Sequence, residues 1–146
     1  MKRLCLTLCC LILCGLCAAP SAAAQERPKD DISKLVGDWS GESLCSDKEK
    51  FPACKDEQVV YHVVLAAGKP DTVTATMDKI VNGKPETMGV GDFVYDAQKQ
   101  TLTSEFKNSR FHLVVEFDVK GDALEGKVST LPDRTVVRHI KLKKDE

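Results

Sequence analysis

The chain has 146 residues, 42% hydrophobic and 29% charged, with a formal net charge of −1. So balanced a charge excludes the basic field that nucleic acid or an anionic membrane surface would require. The length suits one domain able to build its own core, and no internal repeat or low-complexity tract divides it.

The N-terminus reads Met1-Lys2-Arg3, then an apolar run from Leu4 to Leu16, then small residues ending in Ala22-Ala23-Ala24. Cations, a short apolar core and an Ala-x-Ala site predict a signal peptide over 1–24, cleaved after Ala24. The apolar run falls short of the roughly 20 residues that span a bilayer. Lipidation fits poorly, because Leu16 precedes Cys17 and Leu13 precedes Cys14 where a small residue is needed. The protein is therefore expected to be exported, periplasmic or secreted, in a bacterium, with no membrane span in the mature chain. Residues 25–33 read as a polar N-terminal arm and 34–146 as the single folded domain.

Asp31 to Gly37 can hold one helical turn, capped by Asp31 or Ser33. Beyond it the pattern has period two. Phe111, Leu113, Val115, Phe117 and Val119 alternate with polar residues, and so do Leu102, Ser104 and Phe106. Leu124, Gly126 and Val128 repeat the pattern, as do Val136, Arg138, Ile140 and Leu142. Such alternation turns one face to a core and the other to water. Strands are predicted near 37–45, 57–66, 72–81, 85–90, 92–95, 101–107, 110–119, 123–130 and 134–143, with 85–95 as one bent strand in the alternative. Asn82-Gly83 signals a two-residue hairpin. Val59 to Leu65 lacks alternation and is expected to be covered on both faces.

Eight or nine short strands in a meander favour closure into a barrel, which removes exposed edges. The fold class is all-β: an up-and-down barrel, with a two-sheet sandwich as the competing architecture.

Five of the seven cysteines lie in the predicted signal peptide, leaving Cys45 and Cys54. In an exported chain two cysteines most simply form a disulfide. Closing their charged loop contributes roughly 2.7 kcal/mol on the chain-entropy model.

Gly37-Asp38-Trp39 opens the first strand after the helical turn and holds the only Trp. With the meander and a late Arg, it resembles the opening motif of the lipocalins and their calycin relatives, in a small, bacterial exported form. The resemblance implies that Trp39 plugs one barrel end, with Gly37 beside it, and that Arg138 packs across the indole. Arg134 is the weaker match for that role. The chain departs from lipocalins in its length, in lacking room for a C-terminal helix after Leu142, and in a disulfide between the first two strands. Small periplasmic inhibitors of secreted metalloproteases are also calycin barrels, and the arm here would be the inhibitory element.

No catalytic constellation emerges, and the protein is not expected to be an enzyme. Ser40, Ser43 and Ser46 sit in no nucleophile elbow. Asp56 and Glu57 point to opposite faces of a strand. His62, His112 and His139 have no short-spaced ligand partner, so no metal or cofactor is expected. The favoured function is binding of a small apolar or amphipathic ligand, lined by Phe93, Tyr95, Phe106, Phe111, Val115, Phe117 and Val136 with Arg138 as polar anchor. Gly37, Gly41 and Gly126 on inward faces would leave it room. The alternative is a filled barrel serving as a protein-interaction module or protease inhibitor, whose partner is a protein.

Overall fold

The computed structural model describes residues 30–146. The predicted signal peptide and residues 25–29 of the arm lie outside the described residues. One helical turn, α1 (Asp30–Ser33), precedes eight strands. These are β1 (Gly37–Cys45), β2 (Glu57–Leu65), β3 (Thr72–Val81), β4 (Lys84–Asp96), β5 (Thr101–Lys107), β6 (His112–Lys120), β7 (Ala123–Thr130) and β8 (Val136–Lys144). Each strand pairs antiparallel with the next, and β8 returns to β1 from Trp39↔Lys144 to Cys45↔Arg138. The sheet closes on itself, so the architecture is a barrel and not a sandwich.

The period-two pattern sets the wall. Val59, Tyr61 and Val63 of β2, Phe93 and Tyr95 of β4, and Ile140 and Leu142 of β8 all face inward and are buried. Residues 85–95 belong to one strand, bent by a bulge where β3 pairing shifts between Met77 and Asp78. Asn82 and Gly83 take φ of 52° and 75°, the left-handed pair that a two-residue hairpin turn needs.

Among the described residues the β2 segment is covered on one face only: Val64 and Leu65 are 55% and 54% exposed, because none of these residues crosses that outer wall. α1 carries Ile32, which is buried and belongs to the core.

The barrel is closed at the end where β1 starts. Trp39 is fully buried there, and its Nε1 donates to the Leu35 carbonyl at 2.9 Å. Leu35 and Ile32 pack beneath it. The cation over the indole is Lys144, 5.7 Å from the ring centroid. Its Nζ also donates to the Lys34 carbonyl at 2.6 Å, tying the last strand to the turn after α1.

Midway up, the interior is filled by rings. Tyr61 meets Phe117 edge-on with centroids 6.2 Å apart, Phe117 meets Phe93 at 6.1 Å, and Phe93 meets Phe106 at 6.1 Å. The inward glycines therefore leave no void. A Cβ on Gly126 would lie 2.3 Å from the Phe117 ring, and one on Gly91 would lie 2.5 Å from Phe106. At Gly41 the obstacle is the Lys141 carbonyl oxygen, 1.9 Å away. Large side chains occupy the space that small ones vacate, as dense packing demands.

The wall is least continuous between β4 and β5, where the ladder has only the pairs Val94↔Thr103, Tyr95↔Leu102 and Asp96↔Thr101. Beyond them Ser104 Oγ donates to the Asp92 carbonyl at 2.6 Å, a side-chain bond in place of the missing ladder.

Candidate ligand site at the open end of the barrel

Burial differs between the two ends. Around Trp39 the inward side chains are sealed. At the opposite end, where β1 finishes in the disulfide loop, Phe106, Leu113 and Val137 pack on the core yet are only half-buried. These three form an apolar floor open to solvent above the aromatic layer. Val137 reaches it through a bulge in the β7–β8 pairing between Val128 and Ser129.

Polar groups from three strands meet at the same end of the barrel. Ser43 on β1 and Glu57 on β2 are register partners. Arg138 on β8 faces inward in phase with Ile140 and Leu142. Its Nη1 donates to Ser43 Oγ at 3.0 Å and to the Ser43 carbonyl at 3.3 Å. The same nitrogen lies 3.1 Å from Glu57 Oε2, with both side chains less than a quarter exposed. One arm of the guanidinium is thus committed, while its other N–H groups have no hydrogen-bond partner among the described residues.

Tyr61, four residues along β2 from Glu57 and on the same face, completes the group. Burial pushes its hydroxyl pKa up to about 12, opposed by the charge of Arg138 and reinforced by that of Glu57. The phenol thus stays protonated and remains a donor, and it makes no hydrogen bond within the described residues. Asp56, on the rim, is held below the usual carboxylate range by Lys48, by the Cys45 N–H and by Arg138. The Cys45–Cys54 bond, with Cα atoms 6.0 Å apart, closes the loop that carries Lys48. Asp56 Oδ1 accepts from the Cys45 N–H at 2.9 Å, which fixes the start of β2 beside the end of β1.

The residues singled out from sequence are scattered relative to this site. Arg138 does face the interior, but it stands at the open end and does not cross Trp39. Strand register decides this, for Arg138 lies opposite Cys45 while Lys144 lies opposite Trp39. Arg134 sits outside on the wall beside Glu116. Phe106 lines the floor, and Val115 and Phe117 lie in the packed layer with Phe93. Tyr95 belongs to the closed end, where Lys34 lies over its ring. Phe111 is 44% exposed in the turn before β6, where the Asn108 side chain accepts its N–H, so it lies outside the buried interior. The expected Val136 contact is taken by its neighbour Val137.

Ser43, Glu57 and Tyr61 were not expected in one cluster. Parity puts all three inward, two and four residues from core positions. Their meeting depends on the β1–β2 register, which sequence alone does not supply.

A separate recess of about 530 Å³ lies on the outer wall over β5 to β8. Glu116, Lys127 and His139 form one row across it. Its charges alternate and partly neutralise one another, so it offers no convergent field.

No family model matches the sequence, and no curated protein matches it at a significant level. Two solved structures are similar in shape. Rv2717c from M. tuberculosis superimposes with a TM-score of 0.50 at 14% identity, covering 82% of this chain and 99% of that one. The siderocalin Ex-FABP, described as functioning through dual ligand specificities, gives a TM-score of 0.38 at 12% identity over 77% of this chain and 74% of that one. The fold is lipocalin-like. That statement rests on the closed eight-strand meander plugged by Trp39 and concerns architecture alone.

Proposed function

We propose that this is an exported binding protein, not an enzyme, whose lipocalin-like barrel takes a small apolar or amphipathic ligand at its disulfide end. The observation that carries the reading is the meeting of Ser43, Glu57, Tyr61 and Arg138 at the same end of the barrel as the floor of Phe106, Leu113 and Val137. A concave apolar surface with a few fixed polar groups is the usual form of a small-molecule site. The filled lower half limits the ligand to a shallow seat. Support for export comes from the N-terminal sequence and from the disulfide, which suits an oxidising compartment.

Titration with the neutral fluorophore N-phenylnaphthylamine tests the binding reading. A saturable rise in emission, weakened by Leu113→Arg on the open floor, is expected. A folded wild-type protein that leaves the fluorophore dark would sink it. Mass spectrometry of the protein recovered from a bacterial periplasm should give a chain beginning at Gln25, and a chain beginning at Met1 would remove the export reading.

The packed aromatic layer favours a second reading, in which the barrel is an inert scaffold for a protein contact. Under that reading Leu113→Arg leaves every small-molecule titration unchanged.

A further inference from the structure

We propose that the open-end site selects an uncharged hydrogen-bonding head group, such as a primary amide, over the corresponding carboxylate, and that Glu57 is the residue that imposes the choice. This inference rests on the binding reading above.

An arginine and a tyrosine at one end of a barrel interior would ordinarily favour an acid. Here the guanidinium charge is already met. Glu57 lies 3.1 Å from Arg138 Nη1 inside the barrel, with the two side chains 23% and 22% exposed. Asp56 on the rim also sits within the field of Arg138. A ligand carboxylate reaching the free arm of Arg138 would stand beside Glu57. Two carboxylates sharing one cation repel each other, and in a half-buried site solvent screens that repulsion only in part.

A neutral head meets no such penalty, and the groups match it one by one. The uncommitted N–H groups of Arg138 and the protonated Tyr61 hydroxyl donate to a carbonyl oxygen. The second lone pairs of Glu57 accept from an N–H or O–H. A primary amide supplies both halves, and an alcohol supplies them through one oxygen. The Phe106, Leu113 and Val137 floor then takes a compact apolar body, since the Phe93–Phe117 layer leaves no shaft for a long chain.

Naphthaleneacetamide and naphthaleneacetate are fluorescent, have the same shape and differ in the head alone, so they are the probes. Titrated at pH 7 into the full mature protein, the amide should bind about tenfold tighter than the acid. Glu57→Gln, which keeps size and hydrogen bonding, should improve acid binding about tenfold and leave the amide within about threefold. Circular dichroism confirms that the variant is folded.

Three results overturn the proposal. If wild type binds the acid as tightly as the amide, or if Glu57→Gln leaves their ratio unchanged, the head-group inference fails and the binding reading stands. If folded wild type binds neither compound at millimolar concentration, the binding reading fails and takes this inference with it.

Discussion

The Lys144 ammonium stands 5.7 Å from the centroid of the Trp39 indole and donates to the carbonyl of Lys34. One side chain thereby joins the last strand, the plug of the barrel and the turn that underlies it. The two halves of this contact should differ in weight. Trp39 is fully buried and its truncation leaves a cavity over Leu35, so Trp39→Ala should cost about 3–5 kcal/mol. Lys144→Met keeps the apolar stem and loses the cation, for about 0.5–1 kcal/mol. Urea unfolding of both variants measures the ratio. Equal losses would mean that Trp39 is not the plug.

Phe117 packs directly over Gly126. A methyl group at 126 would come within 2.3 Å of the ring and 2.6 Å of the Glu116 carbonyl oxygen. Gly126→Ala should therefore destabilise by about 1–3 kcal/mol, although alanine restricts the unfolded chain. Gly89 provides the contrast, since its nearest neighbour would be the Met77 methyl at 3.9 Å. Gly89→Ala should be neutral or stabilising by up to about 1 kcal/mol. A comparison of thermal midpoints settles both, and a Gly126→Ala protein as stable as wild type would contradict the filled interior.

The Cys45–Cys54 bond anchors the loop at the open end, next to Arg138 and Glu57. Replacing both cysteines with serine should lower stability by about 2–3 kcal/mol through the larger freedom of the unfolded chain. The barrel itself should persist, because the Trp39 end is sealed without it. Unfolding curves with and without reductant check this. Reductant should shift wild type toward the double variant and leave the variant unmoved.

How far the sequence reaches can be seen from Arg138 and Lys144. Alternation places Arg138 on the inward face of β8, and Lys144, one residue past the predicted strand, follows in the same phase. Height along the barrel is a different quantity, set by turn lengths and by which residue of β1 meets which of β8. Parity carries no trace of it, so the sequence pairs Trp39 with the wrong cation. The same reason hides the site, since Ser43 and Glu57 look unremarkable until register makes them neighbours. Features fixed by local chemistry come through better. The hairpin at Asn82-Gly83, the β1 span and the Cys45–Cys54 pair are all legible in the residues. Phe111 fails because it lies in the turn, where alternation no longer specifies a face.

On the outer wall, three strands are linked by one imidazole. His62 Nδ1 lies 2.7 Å from Asp38 Oδ1 on β1, and its Nε2 lies 3.4 Å from Asp78 Oδ2 on β3. Asp78 is buried, and its Oδ1 has no hydrogen-bond partner among the described residues. The hydrogen bond that the His62 imidazole donates to Asp38 raises the His62 pKa above the ordinary 6.5, against a smaller opposing effect of burial and with help from Asp78. A group whose pKa is raised by folding stabilises fully below its unfolded value, and that gain is lost as pH rises through the folded value. Asp56, Asp92, Asp96, Glu125 and Asp133 are shifted downward, so they are ionised in both states above about pH 6 and add no slope there. The wild type should therefore lose thermal stability between about pH 6 and about pH 8 relative to His62→Gln. Because His62 is 45% exposed, the difference should be modest and should shrink in high salt. Melting midpoints of the two proteins across that range provide the check, and parallel curves would show that the imidazole does not bridge the strands.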